Sequence, residues 1–267
     1  DQSIREKLLK SNVKVLLGHE LSEIENKNND VYVSIEDLNI KKRIKYSSKY
    51  LLGCDGSNSL VRKLLKIPQI DLSYNRNWVV VDIKLKGENK LGDKVIQVCD
   101  KKRLATFVPS HLPFRRWEFL IHENERKDDF LDEKNIQELI GKWLEPDDYE
   151  IIRKAVYQFH SLIAEKFQNG NCFLTGDAAH QSPPFMGEGM MSGYRDVVNL
   201  CWKIALTIKL KLQNELLNSF EKERIPHSKF VVENSAGIGE LMEAYAEADD
   251  PKQVPQELVK RGYGSFI

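Results

Sequence analysis

The chain is short of most features that would place it in a special class. Across 267 residues, forty basic side chains balance forty acidic ones, so the net charge is zero. That removes the bulk electrostatic case for nucleic acid or an anionic membrane surface. The longest apolar runs fall far below the roughly 20 residues of a helical membrane span, and no signal-peptide pattern opens the chain. Cysteine is scarce and scattered: Cys54, Cys99, Cys172 and Cys201 show no CxxC spacing. Disulfide and metal readings are therefore poor, and four reduced, mostly buried thiols in a cytoplasmic protein are expected. An initiator Met is absent too. Ile4, Leu8 and Leu9 read as a helix already under way, leading into Val13–Leu17 as a strand.

What is present is a chain long enough for one large domain or two. Val31–Ile35 and Lys42–Tyr46 read as paired strands around polar turns. Lys49–Arg62, KYLLGCDGSNSLVR, is more informative. An apolar strand ends at Gly53, and a helix starts near Ser57 with Leu60, Val61, Leu64 and Leu65 on its buried side. Asp55 or Ser57 could cap that helix in a plain strand–turn–helix. Between residues 71 and 165 the texture turns to β. Val79, Val81, Ile83 and Leu85 alternate with Val80, Asp82, Lys84 and Lys86, as in a strand with one wet face. Val95–Cys99, Leu104–Val108, Trp117–Ile121 and Ile151–Phe159 extend the same sheet, and Ile136, Leu139, Ile140 and Trp143 mark a helix stopped before Pro146.

The chain is organised around Asn171–Ala205. Cys172-Phe173-Leu174 is short enough for a buried strand, Gly176-Asp177 ends it, and a loop with Pro183, Pro184, Gly187 and Gly189 follows. From about Met190 the pattern is helical. Tyr194, Val197, Cys201, Ile204, Ala205, Ile208 and Leu212 recur at steps of three and four, so they are expected inside. Arg195, Asp196, Asn199 and Lys203 fall mostly on the other side. Strand, carboxylate, Gly/Pro loop and long helix put an acid at a strand's carboxyl end and free N–H groups facing the same space, an arrangement that attracts anions. Physics alone leaves a buried helix behind a turn equally open. Pro226 is expected to interrupt the next helix, and after Glu240 an extended or mobile tail is expected.

Two of these stretches carry a resemblance. GDAAHQSPPFMGEGMMSGYRDVVNLCWKIA resembles the second flavin-binding motif of the class A flavoprotein aromatic hydroxylases, the group that includes p-hydroxybenzoate hydroxylase. GCDGSNSLVR resembles the internal motif of the same group that serves both FAD and the nicotinamide donor. The two lie in the family's order, about 120 residues apart. FRRWEFLI at Phe114–Ile121 is similar to the sheet sequence of the 3-(3-hydroxyphenyl)propionate hydroxylase branch, although an arginine pair on a strand whose Trp117 and Phe119 face the core reads equally well.

The resemblance implies an α/β (α+β) fold: a partial Rossmann-like FAD/NAD(P)-binding domain interrupted by a mainly antiparallel, substrate-side sheet. Residues 1–70 and 166–240 would form the FAD part, 71–165 the sheet and 241–267 a tail. It implies FAD as cofactor and NADH or NADPH as co-substrate. Dioxygen and a small aromatic or phenolic partner are hydroxylated chemistry's other needs, through a flavin C4a-hydroperoxide, with a homodimer left open. Carried over by position, Asp55 orders the loop by the pyrophosphate, Gly56 lets backbone approach it, and Arg62 lies by the nicotinamide nucleotide. Gly176 and Asp177 meet the ribityl chain, Pro184 lines the substrate side of the flavin, and Gly187, Gly189, Met190 and Met191 form the helix start whose N–H groups face the flavin's N1 and C2 carbonyl. Position 191 departs from the pattern, where Asn is frequent, but the contact is a main-chain one. His180, Glu221, Arg224 and His227 read as structural, and no side chain is assigned as catalytic base or metal ligand.

The family's opening strand–GxGxxG–helix is not found. Gly187–Gly193 has one residue too many between its later glycines, and Gly237-Ile238-Gly239 lacks the third. The expectation is a fragment or truncation of a flavoprotein hydroxylase. Epoxidation or halogenation on the same scaffold, or a non-catalytic binding module, are the alternatives.

Overall fold

A computed structural model describes residues 2–27, 29–250, 252 and 254. It is a mixed α/β structure with mainly antiparallel sheets. Two compact units separate: Asp1–Gln69, Ala164–Ala179 and Gly193–Ile225 form one, and Ile70–Ile163, His180–Ser192 and Pro226–Ile267 the other.

In the first unit, His19–Lys27, Asp30–Asp37 and Lys42–Ser48 make an antiparallel meander in sequence order. The helix before it, Gln2–Leu9, buries none of its residues. The expected strand at Val13–Leu17 is not formed. Val13, Val15 and Leu17 are exposed, and the strand begins only at His19, where every second side chain finds cover.

The centre of the unit is a parallel pair, Leu51–Gly53 beside Cys172–Leu174, in register Leu51↔Cys172 and Gly53↔Leu174. Gln168–Asn169 adds an antiparallel strand on the far side of Cys172–Leu174, which leaves Leu51–Gly53 as an edge among the described residues. Cys172, Phe173 and Leu174 are fully buried, as a short apolar run inside a parallel sheet should be.

The second unit is built on a five-stranded antiparallel sheet. Its spatial order is Tyr149–Phe159, Arg76–Leu85, Phe114–Ile121, Arg103–Pro109 and Ile96–Asp100. One face carries Val79, Val81, Ile83, Phe107, Trp117 and Phe119 against Ile136 and Ile140 of the helix Glu133–Ile140. Strand alternation places these residues together, and their burial is the unit's main hydrophobic stabilisation.

The opposite face is drier than the alternation suggested. Val80 is buried there, and Trp78, Leu104, Leu120 and Met242 form a second cluster. Along the strand Arg76–Leu85 that face is exposed at Lys84, and on the neighbouring edge strand at Arg153 and Tyr157.

Two helices depart from expectation. Asn218–Glu247 runs straight through Pro226. A proline removes the bond to the carbonyl four residues back, here that of Lys222, and both residues are exposed, so water can take that carbonyl. The same helix continues past Glu240 to Glu247, because Met242 is buried and Ala244 and Ala246 are good helix formers. The rest of the expected tail, apart from residues up to 250, 252 and 254, lies outside the described residues.

Candidate functional site

Within the first unit the two motif turns leave the same end of neighbouring parallel strands. The Thr175 N–H donates to the Gly53 carbonyl at 3.0 Å, and the Cys54 thiol and Thr175 hydroxyl lie 3.1 Å apart.

The turn after Gly53 is tied to itself. Asp55 Oδ1 accepts from the Ser59 hydroxyl at 2.6 Å and Oδ2 from the Val61 N–H at 3.0 Å. Ser59 Oγ in turn accepts from the Arg62 N–H at 2.9 Å and caps the helix Leu60–Leu64. Ser59, not Asp55 or Ser57, is thus the cap, and Asp55 acts one step out as the loop's organiser. Gly56 has φ +76°, where an L side chain is strained, and a Cβ there would meet open space.

Arg62 is buried. Its guanidinium donates to the Ala178 carbonyl at 2.8 Å and the Ser57 carbonyl at 3.0 Å, which ties one motif turn to the other. Burial lowers its pKa, with Asp55 opposing the shift.

The second turn differs in kind. Gly176 has φ +58°, and its N–H donates to Asp196 Oδ2 at 2.9 Å. A Cβ on Gly193 would sit 3.2 Å from the Gly176 Cα, so the turn and the long helix touch backbone to backbone. Asp196 is fully buried, and its Oδ1 accepts from Arg224 Nε at 2.7 Å. Asp177, at the crest of this turn, is exposed and makes no side-chain hydrogen bond among the described residues. One acid is spent on its own loop; the other faces outward.

The helix Gly189–Leu210 turns the opposite way from expectation. Its buried face is Ser192, Asp196, Leu200, Lys203 and Thr207. Lys203 Nζ donates to Ser219 Oγ at 2.7 Å and Glu223 Oε2 at 2.8 Å, and hydrogen bonds from Asn199, at 2.7 Å, and Lys203 hold the Glu223 carboxyl down at about 2. Tyr194, Val198, Trp202 and Ile208 are exposed at 49, 68, 51 and 56 %. Of the residues read as structural, Arg224 is an ion-pair partner as expected. Glu221 instead accepts the Phe167 and Gln168 N–H groups at 2.7 and 3.1 Å.

In the second unit Pro184–Met186 forms a 3-10 turn closed by Gly187 at φ +65°. The helix's first bond is Ser192 N–H to the Glu188 carbonyl. The N–H groups of Gly189, Met190 and Met191 therefore lack an in-helix acceptor, and the Met190 and Met191 side chains are exposed.

The sheet of this unit holds what the motif reading missed. Both arginines of the FRRWEFLI strand are ion-paired: Arg115 to Asp93 at 2.8 Å, and Arg116 to Asp82 through contacts of 2.7 and 3.1 Å. Glu118 beside them is 4 % exposed, and burial pushes its carboxyl up to about 7. On the same face a cavity of about 490 Å3 includes Gln97, Phe185, Glu188 and Asn234 in its wall. The period-2 register that pairs Gln97 with Thr106 was readable in outline, but nothing in it marks a cavity.

The family described as "FAD binding domain" matches residues 1–235. The chain belongs to that family. The class A flavoprotein hydroxylase resemblance carried by the two motifs is borne out. A 3-(3-hydroxyphenyl)propionate/3-hydroxycinnamic acid hydroxylase of Comamonas testosteroni is 34% identical over 233 residues, covering 86% of this chain and 38% of the relative. The protein of the same name from Escherichia coli K12/DH10B is 32% identical over 234 residues, covering 86% and 41%. The chain thus spans about two fifths of the length of these relatives.

Among solved structures, p-nitrophenol 4-monooxygenase from Pseudomonas putida DLL-E4 superposes with TM-score 0.83 at 19% identity, over 97% of this chain and 65% of that one. A ternary complex of aklavinone-11 hydroxylase with FAD and aklavinone superposes with TM-score 0.76 at 26% identity, over 90% and 47%.

Proposed function

We propose that the chain is part of an FAD-dependent, NAD(P)H-consuming monooxygenase that hydroxylates a small aromatic ring with dioxygen. The observation that carries this reading is the pairing of the two motif turns at one end of adjacent parallel strands, one acid locked inward and the other exposed. Strand ends of parallel sheets are where such folds bind nucleotides.

The residues present fit the cofactor. Asp177 is open to accept a ribityl hydroxyl, and Asp55 and Arg62 hold the neighbouring loop in shape. The empty space beside Gly56 lets backbone approach a pyrophosphate. The N–H groups of Gly189, Met190 and Met191 suit the electron-rich pyrimidine edge, with a helix-dipole contribution of about 0.3–1 kcal/mol. FAD, when bound, supplies the electron transfer from the nicotinamide donor and the activation of dioxygen. This chain's own part is to hold the two motif turns in shape and so orient the group.

The exposed Tyr194–Ile208 stripe and the open Leu51–Gly53 edge support the reading of a partial domain, since parallel sheets are normally covered on both faces. A different flavin-dependent oxidation shares all of these features and differs only in product.

The test is FAD titration of the full gene product by flavin-fluorescence quenching, followed by NAD(P)H oxidation with a phenol panel. Asp177→Ala should weaken FAD at least tenfold with an unchanged melting temperature. Asp55→Ala should lower both. Absence of FAD binding removes the proposal in favour of a non-catalytic module, and equal FAD affinity in Asp177→Ala removes the role given to that residue.

A further inference from the structure

The first unit carries an apolar point set among basic residues. Leu38–Lys41 is the four-residue turn that joins the strands Asp30–Asp37 and Lys42–Ser48, which pair from Asp37↔Lys42 onward. The Leu38 N–H donates to the Gly18 carbonyl at 2.8 Å, and a Cβ on Gly18 would sit 2.8 Å from Asn39 Nδ2, so the turn is seated against Gly18, next to Leu17. Asn39 tightens it by donating its N–H to Asp37 Oδ1 at 2.9 Å. From this fixed turn Leu17, Leu38 and Ile40 stand out, exposed at 62, 52 and 64 %. Turns are normally made of Gly, Asn, Asp, Ser and Pro. Apolar side chains held in water at such a tip are not stabilised by folding, and an exposed apolar patch with a polar rim marks a contact with something else.

The rim is basic. Leu38–Tyr46, LNIKKRIKY, holds four cations and no acid. Arg43 is engaged by Glu23 at 3.0 Å. Lys41, Lys42 and Lys45 are exposed and have no carboxylate at salt-bridge distance among the described residues. Strand alternation puts Lys42 on one face of the hairpin and Lys45 on the other. Lys14 reaches the Lys42 face, its Nζ 5.7 Å from the centre of the Tyr46 ring. The nearby acids sit behind the turn: Asp37 holds the Asn39 N–H and lies 3.6 Å from His19, and Glu36 stands across from Arg43.

Lysines on an edge strand such as Lys42–Ser48 also guard it against pairing with another strand. That accounts for Lys42 and Lys45 and leaves Leu38 and Ile40 unexplained. An apolar tip inside a lysine collar is the combination that holds a protein to the surface of an anionic bilayer. The apolar side chains enter the headgroup layer, and each lysine near the surface adds roughly fivefold to the partition. The chain's net charge of zero removes a general attraction, so this one is local. It is also superficial, because no described helix is long and apolar enough to cross a membrane.

We propose that the Leu38–Lys41 turn docks the protein on an anionic lipid surface, with Leu38 and Ile40 in the headgroup layer and Lys41, Lys42 and Lys45 against the anionic headgroups. The inference is independent of the flavoprotein reading.

Co-sedimentation of the full gene product with lipid vesicles tests it. Binding should be at least fivefold stronger to vesicles holding about one third phosphatidylserine than to pure phosphatidylcholine. It should fall at least fivefold in 1 M salt, where charges are screened beyond roughly 3 Å. Leu38→Ser with Ile40→Ser should weaken binding at least fivefold, and Lys41→Gln with Lys42→Gln and Lys45→Gln at least tenfold, both with an unchanged melting temperature. Binding to neither vesicle, or to both equally, overturns the proposal. A loss with the lysine changes and none with the Leu38 and Ile40 changes marks a site for a soluble polyanion and overturns the bilayer. In Ile40→Cys, maleimide should react at position 40 of the free protein, read by peptide mass, and anionic vesicles should block it. Blocking in the free protein means that the rest of the gene product covers the tip, and the proposal falls. Should a variant not fold, the wild-type comparison of the two vesicles decides.

Discussion

Glu118 gives the sharpest physical prediction. It lies mid-strand in Phe114–Ile121, opposite Val80 on one neighbour and Thr106 on the other, and is 4 % exposed. Burial is the largest influence on its carboxyl; Arg116 pulls the pKa down and Asp82 pushes it up. Arg116 is already engaged by Asp82 through two contacts, so little positive charge is left to hold Glu118 ionised. The result is a carboxyl that titrates at about 7 in the folded protein, against an ordinary value of 4.5.

Between those two values the folded chain keeps a proton that the unfolded chain has released. Stability therefore falls as pH rises through this window, and the penalty is complete above it. At about 1.4 kcal/mol per pH unit the full penalty is about 3 kcal/mol. Glu118→Gln removes the titration while keeping shape and hydrogen-bonding capacity. Urea denaturation at pH 4.5, 6 and 8 should show the variant's advantage over wild type growing by about 3 kcal/mol from the lowest pH to the highest. A difference that stays constant across that range refutes the argument that burial, uncompensated by Arg116, governs this residue.

Three other substitutions probe the supports of the two units. Gly176→Ala forces a side chain into φ +58° and should cost about 1–2 kcal/mol, read as a lower urea midpoint with an unchanged slope. Arg224→Met leaves the fully buried Asp196 without its 2.7 Å guanidinium contact, a loss of about 3–5 kcal/mol, read as a lower urea midpoint. Gly239→Ala places a Cβ about 2.5 Å from the Tyr74 ring, and overpacking of about 1–3 kcal/mol should appear as a lower thermal midpoint.

Much of the architecture was legible because the relevant signals are local. Strand alternation located the five strands of the sheet to within a few residues, since a two-residue period survives wherever one face is dry. The Gly53–Gly56 and Gly176–Asp177 turns were readable because a chain that reverses at a strand end needs residues tolerant of positive φ, as Gly56 and Gly176 are. Glu118 was not legible. Its neighbours Thr106 and Val80 come from strands far off in sequence, and only their register shows that no cation remains for it. The cavity hides for the same reason, because Gln97 and Asn234 become a donor and an acceptor only through Thr106 and the Phe230 carbonyl.

The long helix shows where hydrophobic periodicity misleads. A stripe of Tyr194, Val197, Cys201 and Ile208 reads as the inner face under the rule that apolar side chains go inside. That rule assumes the polar face has nothing better than water. Here each of the two buried charges has designated partners: Asp196 takes the Gly176 N–H and Arg224, and Lys203 takes Ser219 and Glu223. Once paired, a buried charge is far costlier to strip of its partner than to keep, so the network fixes the helix rotation. It also fixes the motif turn, because the Asp196 carboxylate that sets the helix face is the same group that holds the Gly176 N–H. The next residue along the turn, Asp177, makes no such bond and is exposed, so the two neighbours Gly176 and Asp177 differ in what holds them.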